Sequence, residues 1–556
     1  MQTAFLRFLS LTRPNLRLGL LGWTTVAAAV LLAFPLLAVL ANMFQGGGGS
    51  FAHLARTVLP RYVGNTALLL VAVSWGVISI GVLSAWLVTA YRFPGHRVLE
   101  WALMLPLAMP AYVMAYAYTY WLQFTGPVQT SLRDVFGWRV HEYWFPEVRS
   151  LWGAAAMLSF ALYPYVYLIA RTAFLDLSRH AIEAGRLAGL TAWESFFRVA
   201  VPLARPAIAA GTALALMETL ADFGTVSYFA VDVFTTGIFK AWLSMGDSVA
   251  AAQLSICLLG FVVLVLALER ASRGRAAYDS GGVPRKRAPA QSLGRVGAIL
   301  ALVGCAAPVI FGFVLPVGIL LDLVFGDPDA RWSERVFTLI GNSTTIAAVT
   351  ACAAVVLAAT MAYAGRLARS PLVTGANRIA SLGYAIPGAV IAVGVLVPLG
   401  RVDNWIAGLI EQSFDVKVGL LLTGTIIALV YAYLVRFLAI ALQTVDAGLA
   451  KVRPSMDDAA RSLGATPATT LRRVHAPLLA SSLATAALLV FVDVMKELPA
   501  TFALRPFNFD TLAVEAYHLA QDERLAEAAL PSLVIVAVGL LPLLFVSRRL
   551  IRPATD

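Results

Sequence analysis

The residues best placed to do chemistry are four acids set in apolar stretches: Glu218 and Asp222, then Asp493 and Glu497. The two pairs match at an offset of 275 residues, and within each pair the i, i+4 spacing predicts both carboxylates on one side of a helix. An acid at a bilayer centre costs about 2.5–3.5 kcal/mol, so four facing lipid would cost on the order of 10 kcal/mol. They must face a water-filled path, a partner or the outer interface. Two readings stand side by side. One is a carboxylate-lined outer portion of a pathway for a cation, with Tyr112, Tyr116, Tyr118 and Tyr120 offering hard oxygen contacts. The other is pairing between helices that holds two halves together, with the tyrosines packed or in an interfacial belt. Lys496 sits beside Glu497 and is expected to neutralise that copy in part.

A second constellation occurs twice in polar surroundings. Glu183-Ala184-Gly185 is followed by Arg186 and Gly189, then by Arg198 and Pro202; Asp458-Ala459-Ala460 is followed by Arg461 and Gly464, then by Arg473 and Pro477. Acid and glycine stand six residues apart in both. Ser178 and Ser455 are expected to cap short helices, where an early acid suits the positive helix end. Small residues after the acid allow another protein to approach the helix backbone closely. Gly189 and Gly464 are expected to take the left-handed conformation that ends each helix, and the prolines to open the next one. One copy alone would pass for a plain amphipathic loop helix; its recurrence points to a docking surface.

Other chemistry is missing. No Gly-x-x-x-x-Gly-Lys-[Ser/Thr] loop occurs, so the chain is not expected to hydrolyse ATP itself, and no cofactor is expected on it. The six histidines show no ligand spacing, and no nucleophile motif sits beside a base, which argues against an enzyme. Cys257, Cys305 and Cys352 are too few and too scattered for a disulfide framework or metal cluster.

The elements that must position these residues follow from composition. Hydrophobic residues make up 60% of 556 positions and charged residues only 13%, against about 25% in soluble domains. No charge occurs from Leu18 to Phe51 or from Ser248 to Leu268. Such runs match the roughly 20 residues a membrane helix needs and are too long for barrel strands. Spans are predicted near 19–42, 63–90, 100–122, 150–170, 204–227 and 248–268, then near 297–321, 338–364, 376–400, 418–442, 478–500 and 528–546. Arg7, Arg13 and Arg17 precede the first, which is kept as a membrane helix rather than a leader. With both termini cytoplasmic, most of the 42 Lys and Arg fall inside, so the net charge of +11 is an orientation signal and no nucleic-acid partner is expected.

The spans repeat. Asn65-Thr66 matches Asn342-Ser343 and Pro110 matches Pro387 at an offset of 277. The chain therefore divides into a first membrane domain, 1–269, a basic cytoplasmic linker, 270–296, and a second membrane domain, 297–556. Six spans in each half make the repeats parallel, an all-α membrane protein of about 12 transmembrane helices.

The doubled acidic segments resemble the Glu-Ala-Ala loop of binding-protein-dependent ABC importers, the coupling helix that enters a groove of the ATPase subunit. Gly185 departs from that pattern in one copy and Asp458 in the other, which leaves the two docking sites unequal. The resemblance implies the fold of a type I ABC importer permease in two tandem units, served by two separate ATPase subunits (a homodimer) and a periplasmic binding protein in the inner membrane. The stretch from Met217 to Val226 with Phe234-Thr235-Thr236-Gly237-Ile238, and that from Lys496 to Thr501 with Leu504 to Thr511, is similar to ferric-iron importer permeases. That likeness implies Fe(III) as cargo and a ferric-binding protein as partner, with thiamine or phosphonate as alternatives. Contact with the binding protein is expected at 229–247 and 501–527, including Asp510 and Asp522. A secondary transporter driven by an ion gradient would need no ATPase.

Overall fold

A computed structural model of the chain describes residues 19–42, 49–139, 142–176, 189–273, 291–328, 331–368, 370–415 and 419–551. Leu, Val and Ala runs close their own backbone hydrogen bonds as helices, as lipid requires. Eleven described helices are long and apolar enough to cross a bilayer, or twelve if one bent pair counts as a span. Most lie where the apolar runs place them: the stretch near 63–90 is the helix Leu59–Ala90 and that near 338–364 is Glu334–Leu367. The spans expected to end at 227 and 500 stop earlier, at Ala221 and Met495.

Two expected spans are broken, and at matching prolines. The 100–122 stretch is His96–Ala102, a 3-10 turn at Leu105–Ala108, and Ala111–Leu122, with a 92° bend across the break. The 376–400 stretch is Pro371–Ser381, a turn at Gly383–Ala385, and Gly388–Phe414. Proline lacks an N–H and drives the preceding residue out of helical space. Met109 and Ile386 duly sit at ψ 108° and 121°, and Pro110 and Pro387 at ψ 139° and 141°. A second matched distortion precedes Pro202 and Pro477. Each lacks the donor for the carbonyl four residues back, and π-helical turns at Phe196–Ala200 and Leu471–His475 absorb the loss.

In space the chain forms two compact units, Met1–Gln45 with Ile340–Asp510, and Gly46–Leu339 with Thr511–Asp556. These do not follow the sequence halves 1–269 and 297–556. Each half sends its first span into the unit built mainly by the other.

In the first unit the helix Leu20–Asn42 packs against Pro371–Ser381 and Gly388–Phe414. Pro35 leaves the Leu31 carbonyl without its helical donor, and the Tyr431 hydroxyl donates to it. A Cβ on Gly394 would lie 2.4 Å from the Pro35 carbonyl oxygen, so glycine permits the close approach. Gly394→Ala is expected to destabilise this unit by about 1–3 kcal/mol, read as a lowered Tm in detergent. An unchanged Tm would show that the contact yields freely.

In the second unit the span Arg295–Gly326 packs on Leu59–Ala90, Ala111–Leu122 and the final helix Leu525–Ile551. Pro316 follows a π-helical turn at Ile310–Val314, and the Phe311 carbonyl accepts from the Tyr118 hydroxyl at 2.6 Å. Tyr118 is thus committed to structure rather than to cargo. The end of the linker, Gln291–Ser292, pairs in parallel with Tyr91–Arg92; most of the linker lies outside the described residues.

Candidate functional site

Of the first docking segment, Ser178, Glu183, Ala184 and Gly185 lie outside the described residues. Gly189 is described and takes φ 80°; Gly464 in the second takes φ 79°, both in the left-handed region where a Cβ is penalised. The second segment is the helix Pro454–Ser462. Ser455 does not cap it, because Pro454 already occupies the first helical turn and Arg453 the cap position.

Asp457, which the sequence reading passed over, fastens this helix. Its carboxylate accepts from Arg366 Nε at 2.7 Å and meets His475 Nε2 at 2.6 Å. Arg366, in the last turn of Glu334–Leu367, also donates to the Leu449 and Val452 carbonyls at 2.8 and 2.9 Å. His475 is fully buried, with the Tyr363 ring edge-on at 5.3 Å. Burial pushes the Asp457 carboxyl up, but the Arg366 hydrogen bond and charge, with His475, hold it below the usual carboxylate range.

With Asp457 turned inward, the opposite face is exposed among the described residues. Asp458 is 72% exposed and paired only along the helix to Arg461 at 3.1 Å; Ala459 and Ser462 are exposed, Leu463 88% so, and Ala460 is buried. The repeat lacks this clamp in its first copy. Thr89, Ile182 and Ala200 stand where the second copy has Arg366, Asp457 and His475. There Trp86, the counterpart of Tyr363, packs instead on Phe196 and Phe174 at 5.2 and 5.4 Å.

The four acids divide into two kinds. Asp222 is not helical but extended, at the end of Val201–Ala221, so it shares no helical face with Glu218. Its carboxylate accepts from Thr225 Oγ1 at 3.0 Å and Val226 N at 3.1 Å, capping the short helix Gly224–Tyr228. Glu497 likewise lies beyond the helix end and accepts from Ala500 N, Thr501 N and Thr501 Oγ1 at 2.9, 3.0 and 2.7 Å. It caps Pro499–Leu504, and Arg436 stands 3.6 Å away. Lys496 pairs with Asp493 at 2.8 Å, within the second pair. Glu218 is half-buried near Asp222. Among the described residues no three His, Cys, Asp or Glu side chains form a metal cluster.

Each cap holds a short helix and loop whose far end is also tied. Asn65 Nδ2 donates to the Asp232 carbonyl at 2.8 Å, and Asn342 Nδ2 to the Asp510 carbonyl at 3.0 Å. The residues two before, Ala230 and Asn508, both take positive φ, 54° and 61°. The doubled Asn in the repeat register was the sequence signal for this tie, though its purpose was not legible. Asn342→Ala is expected to free the 505–511 loop at a cost of about 1–3 kcal/mol locally, seen as faster amide exchange there. Equal exchange in variant and parent would discount the tie.

Eleven or twelve apolar spans in two sequence repeats, each repeat with a proline break and an acid-capped short helix, define a polytopic membrane protein. The chain belongs to the family of binding-protein-dependent transport system inner membrane components, whose sequence model matches residues 77–275 and 354–552. It is thus a multi-pass inner-membrane protein with the type I ABC permease fold. It is 26% identical over 534 residues to an Fe(3+)-transport system permease protein of Haemophilus influenzae, covering 95% of this chain and 98% of that one. It is 25% identical over 445 residues to a ferric transport system permease protein of Actinobacillus pleuropneumoniae, covering 76% and 61%. A sulfate transport system permease protein of Escherichia coli matches at 29% identity over 199 residues, 34% of this chain and 67% of that one.

Proposed function

We propose that this chain is the membrane subunit of an ATP-driven importer of Fe(III), delivered by a periplasmic ferric-binding protein. The observation that carries the cargo is likeness to an Fe(3+) permease along 95% of the chain, both halves included. Separate ATPase subunits, two of them, dock on the segments around Glu183 and Asp458, with both termini on the same cytoplasmic side. The outward face of Pro454–Ser462, with Asp458 and Leu463 exposed and Asp457 clamped behind, supports that docking. The energy comes from those subunits, since the chain carries no phosphate-binding loop. Glu218, Asp222, Asp493 and Glu497 are the acids assigned to the pathway.

The test is ATP-dependent uptake of labelled Fe(III) into proteoliposomes holding the chain, its ATPase and its binding protein. Uptake is expected in the parent and its loss in Glu183→Ala with Asp458→Ala, with the protein still inserted. Uptake without ATP would point to a secondary transporter. ATPase stimulation by sulfate or thiamine but not by Fe(III) would keep the machine and overturn the cargo. Charge reversal at Asp522 is expected to weaken binding-protein affinity in the same preparation.

A further inference from the structure

The short helix Gly224–Tyr228 of the second unit lies beside a cluster of tyrosines. Tyr116 is 2% exposed, and its hydroxyl has no hydrogen-bond partner among the described residues. Its ring lies 4.7 Å from that of Tyr228 and 5.7 Å from that of Tyr112, and it is within electrostatic reach of Tyr517 and Asp222. A buried hydroxyl without a partner costs about 1–3 kcal/mol, and phenylalanine would fill the same space without that cost. Packing alone therefore does not explain the oxygen.

The internal repeat supplies a control. At the positions corresponding to Tyr112, Tyr116 and Tyr228 the second copy has Ala389, Val393 and Ala503, around the same proline break and the same kind of capped segment. The architecture is built equally well without phenols. Charges differ in the same sense. The second copy sets Lys496 against Asp493 and Arg436 against Glu497, whereas Ala221 and Ala161 occupy those positions in the first copy. The cation that does approach is Arg149, which donates to the Tyr228 hydroxyl at 3.4 Å and pairs with Glu523 at 3.7 Å. The Tyr517 hydroxyl is held by Ser227 at 2.8 Å and Gln521 at 2.9 Å. Both copies carry two acids; the phenols at these positions belong to the first copy, and the countercharges at Lys496 and Arg436 to the second.

We propose that Tyr116, with Tyr112, Tyr228 and Asp222, forms a transit site for a hard trivalent cation inside the second unit. This rests on the Fe(III) reading above and adds where the ion is held. Phenolate and carboxylate oxygens suit a small, highly charged ion, and such an ion displaces phenol protons that would otherwise stay bound. Asp222 accepts from Thr225 and Val226 and still has lone-pair capacity, so it can serve the ion without releasing the segment. A site made from phenols, held shut by packing, binds only while the surrounding helices part, which suits a cargo that must also leave.

The test uses the complete importer in nanodiscs, with ring-deuterated tyrosine in the permease alone, turned over with the Fe(III)-loaded binding protein and arrested with vanadate. Iron–phenolate Raman modes that shift with the deuterium are expected, which separates permease tyrosines from any on the binding protein. Tyr116→Phe is expected to abolish them and to lower the maximal uptake rate about tenfold, with KM for the loaded binding protein unchanged. Tyr118→Phe, whose hydroxyl is spent on the Phe311 carbonyl, is expected to keep the modes. Normal iron uptake by Tyr116→Phe without deuterium-sensitive modes in the parent would overturn the site and leave the iron reading standing. No iron uptake by the parent would overturn both.

Discussion

Asp457→Asn is expected to loosen the Pro454–Ser462 helix and to uncouple ATP hydrolysis from transport while leaving Asp458 and the exposed face unaltered in sequence. Asparagine keeps the size of the side chain but removes the charge that Arg366 and His475 share. Arg366 would keep its two carbonyl bonds, yet its charge, only 15% exposed, would lose its counterion. Removing one partner of a buried pair costs about 3–5 kcal/mol; with Asp457 19% exposed, about 2–3 kcal/mol is expected here, on the order of a hundredfold in local opening. Amide exchange over 454–462 measures it directly, alongside the stimulation of ATPase activity by the loaded binding protein. Because the folded carboxyl is held below its ordinary value, its contribution is fully present above the ordinary carboxylate range and is lost only as pH falls through the lowered value. Exchange of the parent helix should therefore show no carboxylate step from neutral pH down to that range. Exchange and coupling both unchanged in Asp457→Asn would refute the clamp.

The larger effect on stability is expected from Glu497→Gln. Glu497 is buried, accepts from two backbone N–H groups and a hydroxyl, and stands 3.6 Å from Arg436, itself 8% exposed. The amide leaves the Arg436 charge in an apolar interior at a cost of about 3–5 kcal/mol, and a donor NH2 faces N–H groups that need an acceptor. Gly388 leaves no room to adjust, since a Cβ there would already meet Arg436 and Glu497 at 2.8 Å each. A clear fall in Tm and poor accumulation in the membrane are expected. Adding Arg436→Met should recover much of the loss, because it removes the stranded charge. Asp222→Asn, with no arginine opposite, should cost about 1 kcal/mol, the value of a cap. If the double variant proved no better than Glu497→Gln, the ion pair would be assigned too large a part.

Much of this was legible in the sequence because periodicity and repetition carry it. Lipid forces long apolar helices, so the spans could be counted; the offsets of 275 and 277 carried the doubling. What was lost has local causes. Continuous apolar composition hides the breaks at Pro110 and Pro387, where a missing N–H outweighs hydropathy. The i, i+4 reading of the acids failed because Asp222 and Glu497 lie just past their helices, where a carboxylate prefers free N–H groups. Asp457 was overlooked beside Asp458, since nothing local says which of two adjacent acids turns inward. That choice is made by Arg366 and His475, on other helices.

The exchange of first spans has a consequence for biogenesis. The helix Leu20–Asn42 leaves the ribosome first, but Pro371–Ser381 and Gly388–Phe414, which it packs against, are made much later. It must wait in the bilayer unclaimed until they are made, after residues 46–339 of the opposite unit. Joining both halves in one polypeptide keeps the waiting helix tethered at high effective concentration near its eventual neighbours. Cutting the chain between Arg273 and Gln291 would turn that intramolecular search into an encounter between two fragments, each carrying a helix the other needs.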